Sequence, residues 1–220
     1  MKVAGADVWK GRWVLVVLDS GRYERAFIAS HFDQALDALS EMAAIGVDIP
    51  IGLPRTGQAR PADVLARKYV GPRWQSVFLA PPAPVTRAAT HSEANEIARS
   101  NGWAGISAQA FGLRHMIDQV ELPAAHDERV HEVHPEVSFA RANGGKPLPW
   151  SKTSWNGQSQ RLAILRSVGI ELPADLGPAG AAGPADVLDA AIVAWSASRI
   201  ASGHAEHFAQ DGPRAGSIWY

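Results

Sequence analysis

The sequence predicts a mixed α/β protein on a five-stranded sheet, with three antiparallel strands followed by parallel ones and helices flanking them. Three observations carry this. The first thirty residues hold three strand-like runs, VAGADV, WVLVVLD and YERAFIA, parted by WKGR and SGR, which are of hairpin-turn length. FDQALDALSEMAAIG then spaces Phe32, Leu36, Leu39 and Met42 or Ala43 at the helical period ahead of the apolar run VDIPI. Helical patterns at 61–70, 91–101, 107–121, 157–168 and 184–202 are broken by one further strand, RVHEVHP.

The first three runs read as an antiparallel meander. The helix after them stops at Gly46, and a helical crossover makes VDIPI parallel to a strand already in the sheet, the first being the natural neighbour. Residues of about 60–125 then form a helical insertion between the fourth and fifth strands of a single domain spanning 1–220. In RVHEVHP, alternation puts Val130, Glu132 and His134 on one face and Arg129, His131 and Val133 on the other. GPAGAAGPA is a linker to the last helix, which opens at Pro184. NGGKPLPWSKTSWNG is flexible by composition and reads as a lid, with Lys146 or Lys152 meeting a substrate anion. The tail DGPRAGSIWY reads as a short edge strand or a subunit contact, which would make a homodimer.

At 220 residues and 46% hydrophobic content the chain can bury a sizeable core. No apolar run reaches membrane-spanning length, and MKVAGADVWK lacks the apolar core of a signal peptide, so a soluble cytoplasmic protein is expected. The absence of cysteine excludes disulfides and thiolate metal sites. A net charge of -1 gives no global attraction to nucleic acid or membrane, although residues 55–87 hold six basic side chains (Arg55, Arg60, Arg67, Lys68, Arg73 and Arg87) against one acid, Asp63. Nucleic acid or a nucleotide thus stays open as a partner without support from net charge.

The acids carry the chemistry. Asp7 follows VAGA and Asp48 follows AIGV, so in matched parallel register the two carboxylates stand level near the strands' carboxyl ends, where open α/β sheets bind ligands. Glu132 comes from the next strand. Asp186 and Asp189, three residues apart, share a face of the last helix. Converging carboxylates need protons or a cation, and oxygen-only ligands suit Mg²⁺ or Mn²⁺. Two such ions would serve in-line attack on a phosphodiester, with Asp7 bridging them, Asp48 and Asp189 each holding one, and Glu132 or Asp186 completing the shell. The alternatives are a metal-dependent hydrolase of a small nucleotide or phosphorylated metabolite, and a non-catalytic binding or regulatory module that uses the acids only structurally.

GADVWKGRWVLVVLD, VDIPIGLP, RPADVLARKYVGPRWQSVFLAPP, ISAQAFGL, VHEVHPEVSF, SKTSWNGQSQRLAIL and DVLDAAIVAWSASRI, in this order, resemble the family called domain of unknown function 429, predicted nucleases with a ribonuclease-H-like fold. The resemblance implies metal ligation by Asp7, Asp48, Glu132 and Asp186 or Asp189. It also marks Arg60, Asp63, Arg67, His134, Glu136 and Lys152 as motif positions. The chain departs from the family pattern in delaying the basic residue after SVFLAPP to Arg87.

Plainer readings stand beside these. Asp7 and Asp48 also suit strand-ending turns, Asp186 suits helix capping, and Glu132 suits pairing with an arginine. Asp189 is the better ligand of its pair, since it lies one turn further in, among Val187, Leu188, Ala190, Ala191 and Ile192. HEVHP is not a zinc motif: its histidines stand one residue too close, and Pro135 keeps His134 out of helical geometry. His134 either holds the following turn or acts as a general base. Arg60, Arg67 and Arg73, with His134 and Lys152, are substrate-binding candidates, whereas Asp63 and Arg67 also suit a surface ion pair. Of eight tryptophans, Trp9, Trp74, Trp103, Trp150 and Trp155 fall near turns, where they staple loops or stack on bases.

Overall fold

The structure is a computed structural model that describes residues 1–209 and 216–220. Strands β1 (Lys2–Trp9), β2 (Arg12–Asp19) and β3 (Arg22–Ala29) form the antiparallel meander. Its two turns are Lys10-Gly11 and Ser20-Gly21, each with positive φ at both residues, the backbone twist that tight hairpins require. Helix α1 (Phe32–Ala38) leads to β4 (Ile45–Val47), which pairs parallel to β1, and β5 (Val130–Glu132) pairs parallel to β4. The sheet order is β3-β2-β1-β4-β5, the mixed five-stranded arrangement expected.

Two boundaries differ from expectation. Helix α1 ends eight residues before Gly46, because Arg129 donates to the carbonyls of Leu39 and Ser40 and so satisfies the chain's turn out of the helix. Gly46 is not a helix stop; it sits in β4, where a Cβ would lie 2.7 Å from a methyl of Val193. The strand also lies earlier than VDIPI, since Pro50 offers no N–H to extend the ladder.

Between β4 and β5 run α2 (Pro61–Val70), a 3-10 helix (Gly71–Ser76), α3 (Ala83–Thr86), α4 (His91–Ser100), α5 (Ala108–Gly112) and α6 (Arg114–His126). The pattern at 107–121 is thus two helices with a break at Leu113. After β5 come α7 (Pro135–Ala142), which no periodicity had suggested, α8 (Trp155–Ser167) and α9 (Pro184–Ala201). Strands β6 (His207–Phe208) and β7 (Ile218–Trp219) make a small ribbon. The tail's edge-strand reading holds for Ile218–Trp219, and its residues 211–215 lie outside the described residues.

Helices cover both faces of the sheet. On one, α9 and α8 pack on Val3, Val14, Val16 and Leu18; on the other, α1 and α6 pack on Ala4, Ala6, Trp13, Leu15 and Val17. Helix α9 approaches β1 closely because Gly5 has no side chain: a Cβ there would lie 2.2 Å from the Ala190 carbonyl oxygen and the Ala194 nitrogen. Among the described residues no helix is long and apolar enough to cross a membrane.

Candidate functional site

Parallel pairing of β1 and β4 matches Ala4 with Ile45, Gly5 with Gly46 and Ala6 with Val47, so Asp7 and Asp48 come next and level. The Asp48 N–H donates to the Ala6 carbonyl at 3.0 Å and fixes that register at the strand's end. The glycine contact between β1 and α9 brings the third acid across, since Asp189 directly precedes Ala190. One carboxylate oxygen from each of Asp7, Asp48 and Asp189 lies within 4.8 Å of the others.

All three pKa values are raised. Burial is the main cause for Asp7, with the charges of Asp48 and Asp189 adding to it. Asp48 is pushed up to about 8, chiefly by burial, against the opposing pull of Lys152. Asp189 rises through burial despite Lys152 and Arg161. Asp7 is 6% exposed, its Oδ1 accepts from the Val8 N–H at 2.6 Å, and its Oδ2 has no hydrogen-bond partner among the described residues.

Lys152 enters this cluster. Its Nζ donates to Asp189 Oδ2 at 2.5 Å. Burial disfavours its ammonium, but Asp189, Asp7 and Asp48 outweigh that and raise its pKa. The residue arrives on a built turn: Ser154 donates through both its N–H and Oγ to the Ser151 carbonyl, and the Gly157 N–H donates to Ser154 Oγ. A Cβ on Gly157 would fall 1.8 Å from the Ser151 oxygen, so the loop before α8 can close this tightly only over glycine. Lys146, the other candidate on that loop, is exposed.

The remaining acids are engaged elsewhere. Glu132 takes a bidentate pair from Arg60, at 2.6 and 2.8 Å, and a 2.7 Å bond from the Ile51 N–H. Arg60 also grips Asp63, at 2.6 Å from Nη2, and Asp63 accepts from the Ala80 N–H. All three residues of this triad are buried. Burial works against the guanidinium, but the two carboxylates hold it charged. Asp63 is therefore not the surface partner of Arg67, whose Nε donates to the Val77 carbonyl at 2.7 Å while its guanidinium lies over Trp74. Asp186 stands in the first turn of α9 with its carboxylate against Gly183, and burial raises its pKa against the pull of Lys152.

His134 caps α7, its Nδ1 accepting from the Glu136 N–H, and burial lowers its pKa to about 4. Glu136 pairs with the fully buried Arg161 at 2.5 Å, and Arg73 lies near enough to lower its pKa against the larger effect of burial. Arg161 was not foreseen, although a signal existed: it shares a helical face with Gly157, Ile164 and Leu165, all buried. Trp74 and Trp150 are about half exposed and Trp155 is 81% exposed.

A solved Thermus thermophilus RuvC structure is similar over 93% of this chain and 98% of that chain, at 15% identity and a TM-score of 0.37, a likeness too loose to argue from. No curated protein matches the sequence. The model of the family described as "Protein of unknown function (DUF429)" matches residues 5–214, and the chain belongs to that family.

Proposed function

We propose that the protein is a hydrolase of phosphodiesters that depends on Mg²⁺ or Mn²⁺, a nuclease-like enzyme of ribonuclease-H-like type, with Asp7, Asp48 and Asp189 as its cation ligands. The observation that carries this reading is the convergence of three carboxylates from β1, the end of β4 and α9, with Asp7 Oδ2 buried and unpartnered among the described residues. A buried oxygen without a partner costs about 1–3 kcal/mol, more if charged, and a cation would remove that cost. The donor set fits: it is all oxygen, as hard divalent ions require. When bound, such a cation supplies Lewis-acid stabilisation of the charge building on the phosphoryl oxygens and activates water for in-line attack.

The chain's own groups do the rest. Lys152 balances charge beside Asp189, and Arg73, whose Nε is buried without a partner among the described residues and whose charge reaches Glu136, is the guanidinium assigned to contact a phosphate. Arg60 and Glu132 hold the turn after Asp48 through the carbonyl and N–H of Ile51. Cytoplasmic placement belongs to the same reading, and the lack of cysteine fits a reducing compartment. A second reading, a small nucleotide or other phosphorylated metabolite as substrate, is favoured by the net charge of -1, since a polymer binder normally neutralises several phosphates.

Incubation with labelled single- and double-stranded DNA, RNA and a chromogenic phosphodiester, with and without Mn²⁺, separates these readings. Cleavage that needs Mn²⁺ and disappears in Asp7→Asn is expected; cleavage that survives chelation or Asp7→Asn overturns the assignment.

A further inference from the structure

We propose that the Asp7–Asp48–Asp189 centre holds a single divalent cation, and that the ammonium of Lys152 provides the remaining positive charge in place of a second ion. The inference rests on the cation-dependent reading of the site and replaces the two-ion arrangement that the acids alone suggest.

Charge is the first ground. Three carboxylates and one ammonium leave two negative charges, which one divalent ion neutralises and two would reverse. Ligand supply is the second. A second ion needs further oxygens, but Glu132 is bound bidentately by Arg60, Glu136 gives one oxygen to Arg161, and Asp186 sits against Gly183 at the start of α9. Space is the third, on one side of the centre: the gap between Asp48 and the Arg60–Glu132 pair is about 10 Å³, room for no more than about one water, so a second ion shared by Asp48 and Glu132 has no place there. Finally, Lys152 is no stray surface charge: the Ser151–Ser154–Gly157 turn presents it, at 2.5 Å from Asp189.

The ligand set itself is more than a group of acids, because Asp7, 6% exposed, carries a buried Oδ2 with no hydrogen-bond partner among the described residues. One carboxylate oxygen of that set is already taken by Lys152. Removing the ammonium frees it and deepens the local negative charge, which opens the centre to a second ion.

Titration of the metal-stripped full chain with Mn²⁺ alone, read by calorimetry and by electron paramagnetic resonance, tests this without any substrate. The wild type is expected to take up one Mn²⁺ per chain with the spectrum of an isolated ion. Lys152→Gln is expected to take up two, with line broadening from their coupling, and Lys152→Arg to return to one. Circular dichroism confirms that each variant is folded, and the half-exposed loop position makes loss of the fold an unneeded worry. Two ions in the wild type, or one in Lys152→Gln, overturn the inference and leave the cation-dependent reading standing. No uptake by the folded wild type overturns both.

Discussion

Two buried groups of charges lie side by side at the carboxyl ends of β1, β4 and β5, and they differ in one respect. In the Asp63–Arg60–Glu132 triad every guanidinium nitrogen is engaged, and both carboxylates also accept backbone N–H groups. In the Asp7–Asp48–Asp189 group, Lys152 answers one acid directly, and a buried oxygen of Asp7 is unpartnered among the described residues. The first group is complete as it stands and holds loops. The second is complete only with something added, and this contrast separates a binding site from scaffolding more surely than the count of acids does.

The largest expected effect comes from the incomplete group. Asp7→Asn should weaken Mn²⁺ binding by more than about 100-fold, since even residues outside a ligand set cost ~10–100-fold. The same change should raise the stability of the metal-free protein by about 1 kcal/mol, because it removes a buried acid that only a cation satisfies. Calorimetric titration and urea unfolding measure the two, and a loss of metal-free stability would erase the contrast.

The complete group should respond in the opposite sense. Arg60→Ala leaves Glu132 and Asp63 buried and unpaired, a loss of about 3–5 kcal/mol in urea unfolding. Replacing Arg60 and Glu132 together by Met and Leu should recover part of it. If Arg60→Ala unfolds at the wild-type urea concentration, the triad does not hold the loops as described.

How much of this was legible follows from what sets each feature. Period-two runs and Gly-containing turns reveal the meander, because backbone twist and alternation are local. The levelling of Asp7 and Asp48 was also readable, since equal offsets after two apolar runs become equal register once the strands pair. Partner choice was not. Whether Glu132 meets a cation or Arg60 depends on where α2 docks, across 72 residues of sequence, and no spacing encodes that. Lys152 was marked as a motif position on a loop read as a lid, but its route to Asp189 depends on the turn that Gly157 permits. Helix α7 escaped notice because eight residues give too few periods to see, and its cap, His134, is outside the usual set of capping residues.

The link between the two halves of the centre is β1 against α9, and Gly5 sets it. Gly5→Ala puts a methyl into the Ala190 and Ala194 backbone, where no side chain can give way. A cost of about 3 kcal/mol is expected, at the upper end for overpacking, because the helix must lift off the strand. Asp189 moves with it, so Mn²⁺ affinity should fall even though no ligand is changed. Affinity equal to the wild type, with stability lost, would mean that the acids converge independently of this contact.

The smallest effect belongs to His134, which stands between the two groups and lines the gap they share. Its folded-state pKa is lowered to about 4, below the ordinary value near 6.5, so the neutral ring favours the fold above 6.5 and that contribution is lost as pH falls toward 4. Between about pH 7 and pH 5 the loss amounts to roughly 2 kcal/mol. Asn keeps the cap without titrating. The raised acids shift stability the other way over this range, so the useful quantity is the difference between the wild type and His134→Asn at each pH. That difference should turn against the wild type as pH drops; if it stays constant, His134 is solvated and is not part of the packed boundary between the complete and incomplete groups.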